Sequence, residues 1–248
     1  MTENEWRLYG DLAWLWPLWE DVSIYEHETE LYVELIKNQT KNDVRTVLDI
    51  GCGGGKHSYW LKKHFTVTGI DISEAMLSNA KKLNPECEFL YGDMRDFDLD
   101  RQFDSIFLND SILHMANRTD LTVTFQNAYR HLKTGGIMIC FAEYTRESFQ
   151  QNATSVSRAQ SRLKPPNLEI TFIENLYDPD PEDDCFEYTL LYLIRESGRL
   201  TIEQDTHYCG LFPIDFWRYS LDEAGFQVSE RILQIDDLDL PTFACLKV

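Results

Sequence analysis

From residue 46 onward, short apolar runs alternate with stretches of helical spacing. Runs at Thr46–Ile50, 66–70, Glu88–Tyr91, Phe103–Leu108 and 137–142 read as strands, and 56–64, 73–82 and Arg118–His131 read as the helices between them. Such alternation calls for a parallel sheet with helices on both faces, because each crossover runs back over the sheet. The expected fold class is α/β, a doubly wound sheet.

After Phe149 the period changes. Leu168–Tyr177, 185–195 and 200–208 read as extended segments joined by an acidic, proline-containing stretch at 178–184 and by Glu196-Ser197-Gly198, which predicts an antiparallel meander. A helix at 214–224, stopped by Gly225, and strands at 227–233 and 242–248 bring the main sheet to seven strands. The connection 234–241 is too short for a parallel crossover, so the final strand is expected to run antiparallel. Residues 1–45 open with Trp6, Tyr9, Trp14, Trp16 and Trp19, followed by Leu31, Val33, Leu35 and Ile36 at helical spacing behind a Ser23-to-Glu26 capping box. The expected organisation is an N-terminal helical cap at 1–45, an α/β domain at 46–149 and 210–248, and an antiparallel insertion at 150–209.

Composition narrows the function. At 248 residues and 43% hydrophobic content the chain can bury a full core. Its net charge of −19, with no basic run to offset it, speaks against nucleic acid and anionic membranes as partners. Polar Thr2-Glu3-Asn4-Glu5 carries no signal pattern, and no apolar run approaches bilayer-spanning length. The six cysteines stand singly, with no C-x-x-C pair, as expected of buried thiols in a reducing cytoplasm. The acidic stretch 178–184 fits no metal-loop spacing and reads as a solvated hairpin tip; no metal is expected.

The candidate chemistry lies at the end of the first strand. A glycine turn between strand and helix lets a ligand approach the backbone closely and offers it helix N-terminal amides. Gly51-x-Gly53-x-Gly55 is followed by Lys56, where a dinucleotide pattern has its third glycine, and is preceded by Asp49. A carboxylate there repels a pyrophosphate and suits a cofactor bearing an ammonium group. Asp71, about twenty residues past Gly51, stands where an acid meets ribose hydroxyls in either cofactor class, so it does not discriminate.

VLDIGCGGG from Val47, GIDIS from Gly69, GDMRDF from Gly92 and HLKTGG from His131 together resemble the ordered motifs of class I S-adenosylmethionine-dependent methyltransferases. The resemblance covers residues 46–142 and, more loosely, 213–248. It implies a Rossmann-like fold with S-adenosylmethionine as cofactor. Asp49, Gly51, Cys52 and Gly53 would pass beside the methionine part, Asp71 with Ile72 would meet the ribose, Asp93 and the backbone of Met94 would meet the adenine, and Asn109 completes the set.

The insertion ending in His207-Tyr208-Cys209-Gly210-Leu211-Phe212 adds a patchier likeness to N-methyltransferases of nucleotide-linked amino sugars. It implies a lid formed by the meander and an N-terminal segment whose Tyr9 folds over the cofactor. On the rim beyond the strand ends, His114, Glu143 and His207 are the candidate catalytic residues, as groups able to accept a proton. Tyr9, Trp16, Trp19 and Tyr144 are the candidate substrate residues, an aromatic wall able to attract a cation. The expected activity is methyl transfer to a small molecule, with an amine nitrogen favoured over a hydroxyl and a homodimer possible. A cofactor-binding protein without catalysis and a dinucleotide oxidoreductase are the rival readings.

Overall fold

The computed structural model describes residues 6–40, 42–159, 163–235 and 238–248. Residues 1–5, read above for a leader, and 236 and 237, in the last connection, lie outside the described set.

The N-terminal segment is a chain of short turns: 3-10 turns at Arg7–Tyr9 and Ala13–Leu15, helix α1 (Trp16–Trp19), a 3-10 turn at Val22–Ile24, and then the longer helix α2 (Tyr25–Gln39). The expected Ser23 capping box does not form. Asp21 caps the preceding 3-10 turn instead, its Oδ1 accepting from the Ser23 amide at 3.1 Å, because Ser23 already lies inside that turn.

The main sheet contains β1 (Thr46–Ile50), β2 (Thr66–Asp71), β3 (Glu88–Tyr91), β4 (Phe103–Leu108), β5 (Leu132–Phe141), β10 (Gln227–Ile235) and β11 (Leu238–Leu246). Its order is β10-β11-β5-β4-β1-β2-β3, parallel except that β11 runs antiparallel to both neighbours. This is the seven-stranded, doubly wound arrangement with an antiparallel final strand, and the hairpin is longer than expected at its tip. Strand alternation builds two apolar layers. Leu48, Ile50, Ile106, Leu108, Met138 and Cys140 face one core with α5 (Arg118–His131) and α6 (Ile214–Glu223). Val47, Phe107, Ile137, Ile139 and Phe141 face the other, with α2 and Leu61 of α3 (Lys56–Leu61). Helix α4 (Glu74–Leu83) is capped by Ser73, whose hydroxyl accepts from the Met76 amide at 3.0 Å.

A second, four-stranded antiparallel sheet holds β6 (Ala153–Arg158), β7 (Leu168–Tyr177), β8 (Cys185–Glu196) and β9 (Arg199–Gly210) in sequential order. The meander therefore has one strand more than the sequence indicates: β6, ATSVSR, is mostly exposed and has no apolar alternation to betray it. Leu168, Ile170, Phe172, Leu190, Tyr192 and Ile194 of this sheet pack on Leu8, Leu12, Leu15 and Leu18, with Trp19 stacked on Phe172 at 4.5 Å. The N-terminal turns thus lie between the second sheet and Met76 of α4. All six cysteines are free thiols; Cys140, Cys209 and Cys245 are buried as the sequence led one to expect, while Cys52, Cys87 and Cys185 are only half-buried, against that expectation. Among the described residues no helix is long and apolar enough to cross a membrane.

Candidate active site

The carboxyl ends of β1, β2, β4 and β5 open into a cavity of about 520 Å³, closed from above by the N-terminal turns and by the second sheet. Its size suits a nucleoside cofactor plus a small second ligand. Tyr9, Trp16, Trp19, Asp49, Gly51, Cys52, Gly53, Asp71, Ile72, Asp93, Met94, Asn109, His114, Glu143 and His207 all line it. Tyr144 does not: it packs behind the wall with Phe149, Phe186 and Leu113, and its hydroxyl reaches back to Glu143. It follows Glu143 directly where the chain leaves the sheet, and its ring packs in the layer behind the cavity wall.

The glycine loop turns tightly after β1. Gly51 has φ +67°, and a Cβ there would lie 2.2 Å from Ser111 Oγ, so both conformation and space require glycine. Asp71 buttresses the loop, accepting from the Gly53 amide with one oxygen and from the Ser73 amide with the other, each at 2.8 Å. Asp49 is buried beneath the loop and accepts from Ser58 Oγ at 2.5 Å. Burial pushes its carboxyl up to about 7, the Ser58 hydroxyl opposing and the Asp71 charge adding.

Three groups on this side were not among the site residues read from the sequence. Lys56 is buried with Nζ 4.9 Å from the Trp16 ring, 5.0 Å from the Tyr25 ring and 3.8 Å from Glu20, and burial pulls it down to about 8. His57 bridges Thr29 (3.0 Å) and Asn109 (2.6 Å), and burial takes it down to about 3, so it is a neutral spacer. Arg95 holds Asp93 at 2.5 Å and Asp120 at 3.0 Å; it was legible only as part of GDMRDF.

On the side of β4, β5 and the second sheet, the Tyr9 hydroxyl lies 3.0 Å from His114 Nε2. Trp6, which the sequence reading left without a role, covers His114 and His207 at ring distances of 4.4 and 5.6 Å. His207 Nε2 lies 2.8 Å from Asp205 Oδ2, and both are buried. The same Asp205 oxygen accepts from the Leu8 amide at 2.7 Å. Burial alone would raise Asp205, but His207 and the backbone amides outweigh it and hold its carboxyl below the ordinary value. A carboxylate only accepts, so Nε2 donates to it, and in the neutral imidazole Nδ1 keeps its lone pair. Nδ1 of His207 and of His114, Asn109 Oδ1 and Trp16 Nε1 are buried without a hydrogen-bond partner among the described residues. Four unsatisfied polar atoms around one cavity are the mark of a site shaped for a polar ligand.

The profile of the methyltransferase domain matches residues 47–136. YqeM of Bacillus subtilis, a putative methyltransferase, is 39% identical over 199 residues, 78% of either chain. The chain belongs to the S-adenosylmethionine-dependent methyltransferases. Among other relatives, this methyltransferase is 25% identical over 207 residues to the dTDP-3-amino-3,6-dideoxy-alpha-D-glucopyranose N,N-dimethyltransferase of Streptomyces fradiae, over 82% of this chain and 78% of that one. Its fold matches the crystal structure of Streptomyces venezuelae DesVI with a TM-score of 0.80 at 21% identity, over 90% and 92% of the two chains. Its cofactor is S-adenosylmethionine, and the site fits that group. The backbone is bare at Gly53, Asp71 offers a carboxylate beside it, and Asn109 Oδ1 lacks a donor.

Proposed function

We propose that this methyltransferase methylates the nitrogen of a small amine. The observation that carries the reading is the sharing of one cavity by two groups: acids suited to a nucleoside, and a buried histidine whose Nδ1 has no partner among the described residues. The amino-sugar N,N-dimethyltransferases among the relatives support nitrogen over oxygen.

In this reading Asp71, with Ile72 beside it, holds the ribose hydroxyls, Asp93 and the Met94 backbone hold the adenine, and Asp49, the glycine loop and Asn109 surround the methionine part. When bound, S-adenosylmethionine supplies an electrophilic methyl group on a sulfonium. The second sheet acts as a lid, and Trp6, Tyr9, Trp16 and Trp19 keep water away from the reacting atoms. Tyr9 and His114 orient the acceptor, and His207, fixed by Asp205, takes the proton that an ammonium acceptor must lose at Nδ1. Glu143 is a further proton acceptor within the wall, raised by burial and by the neighbouring Asp110 charge.

The test is titration with S-adenosylhomocysteine by calorimetry, followed by transfer of labelled methyl to a panel of amines and alcohols. Wild type binds the cofactor product, and Asp71→Ala loses about 1–3 kcal/mol of that affinity through its charge-assisted bonds. Unchanged affinity in the variant would place the ribose elsewhere, and transfer to alcohols alone would replace the amine by a hydroxyl acceptor.

A further inference from the structure

Beyond the methionine end, the cavity wall gathers carboxylates. Asp110 follows β4, Glu143 follows β5 and Glu174 stands on β7, and all three line the cavity. Asp110 and Glu143 share a hydrogen bond, which requires one of the two to carry the proton so that the pair holds one negative charge, and Glu174 adds to the field felt by Glu143. Their other partners are neutral. Glu143 meets the Tyr144 hydroxyl, Asp110 the Asn109 amide at 3.4 Å, and Glu174 the Ser155 hydroxyl at 2.7 Å and the Tyr188 hydroxyl. Among the described residues no lysine or arginine pairs with any of the three. Asp110 is exposed to the cavity and Glu143 and Glu174 are half-buried, and with no lysine or arginine beside them the negative field they leave there favours a bound cation.

A second observation points the same way. His207, 1% exposed, lines this part of the cavity with Nδ1 unpartnered, an acceptor waiting for a donor such as an N–H of the ligand. The rings of Tyr9 and Tyr188 stand beside it at 5.2 and 6.2 Å, faces that favour a cation.

The counterpart is the lack of a phosphate site. The lysine and arginine among the described lining residues are Lys56 and Arg95. Arg95 is tied to Asp93 and Asp120, and Lys56 sits by the glycine loop over Trp16 and Tyr25 near Glu20. Arg158 follows Ser157 on β6, and because successive strand residues face opposite ways, it lies on the other face from the cavity-lining Ser157. Nor do the carboxylates converge as metal ligands: among the described residues no group of three or more His, Cys, Asp or Glu is arranged to hold a metal ion.

We propose that the acceptor is a small polycationic amine without phosphate, its nucleophilic nitrogen at His207 and a second, still protonated nitrogen against Asp110, Glu143 and Glu174. This rests on the amine N-methyltransferase reading above and departs from the nucleotide-linked sugars of the named relatives. Methyl transfer forms the C–N bond as the C–S bond breaks, and the proton leaving the reacting nitrogen goes to His207.

The experiment is calorimetry on the full chain saturated with S-adenosylhomocysteine, whose neutral thioether leaves the carboxylates free, with 1,4-diaminobutane and thymidine diphosphate as probes. The expected result is that the diamine binds and thymidine diphosphate does not, and that Glu174→Gln weakens the diamine about tenfold while leaving S-adenosylhomocysteine affinity unchanged. Asp110→Asn, whose cofactor-product affinity reports its folding, serves as the second variant and weakens the diamine likewise. Binding of thymidine diphosphate in preference to the diamine, binding of neither, or diamine binding insensitive to both variants would overturn the inference. Loss of S-adenosylhomocysteine binding by wild type would instead overturn the cofactor site, and with it the broader reading.

Discussion

Asp205 and His207 stand two apart on β9, so their side chains share one face of the strand, and the Leu8 amide fixes the carboxylate from the N-terminal turns. In the proposed reaction Asp205 is a positioning residue, keeping the His207 proton on Nε2 and the lone pair at Nδ1. Asp205→Asn is expected to lower kcat on the order of 10²-fold with S-adenosylhomocysteine affinity retained. His207→Ala in the same background should add little, since the two residues act as one unit. Independent, multiplying losses in the double variant would show that Asp205 serves packing alone. His207 was legible as a titratable rim residue, whereas Asp205 was not. The signal was there, an Asp-x-His on a strand, but the partnership depends on both being buried, which composition does not reveal. Tyr144 shows the converse: its type suited the wall, and a single step along the chain from Glu143 put it behind.

At the level of elements, the N-terminal turns close the glycine loop. A Cβ on Gly54 would lie 2.2 Å from Cδ1 of Trp16, while the Gly54 backbone itself does not need a left-handed conformation. Gly54→Ala is therefore expected to push the indole away, costing about 1–3 kcal/mol of overpacking and changing tryptophan emission. Cofactor-product affinity should fall with it, and Trp16→Ala in the same background should remove the clash. An unshifted emission spectrum with full affinity would mean that Trp16 does not hold the loop. The strands of the main sheet were readable because burial on both faces writes near-continuous apolar runs. Strand β6 was not readable, since an exposed edge strand has no buried face to write.

Across the whole molecule, Asp184, where the second sheet's central hairpin returns toward the main domain, is held by Arg118 of α5 at 2.7 Å and by Arg146 at 3.0 Å. Arg118 above all, and Arg146 after it, hold the Asp184 carboxyl below its ordinary value against the opposing effect of burial. The folded value lies below the unfolded one. The contribution is therefore complete above the ordinary carboxylate range near pH 4, and is lost as pH falls through the folded value. With both arginines partly exposed, the network is worth about 1 kcal/mol. Asp184→Ala should lower Tm by about 2–4 °C at pH 7, a difference that vanishes in acid and shrinks in high salt. A deficit that persists at pH 2 would assign the effect to packing.

The order of apolar runs and glycine turns determined the α/β class, the antiparallel last strand and the place of the cofactor loop. These follow from local physics: burial periodicity, the short reach of the last connection, and the backbone freedom of glycine. Tertiary structure alone decided what stands opposite that loop. Trp6, Glu174 and Asp205 come from separate segments of the chain, and only their folding around one cavity makes neighbours of them. Charge, burial and hydrogen-bond supply at that cavity are properties of the assembled wall, because each side chain's solvation is set by elements distant in sequence.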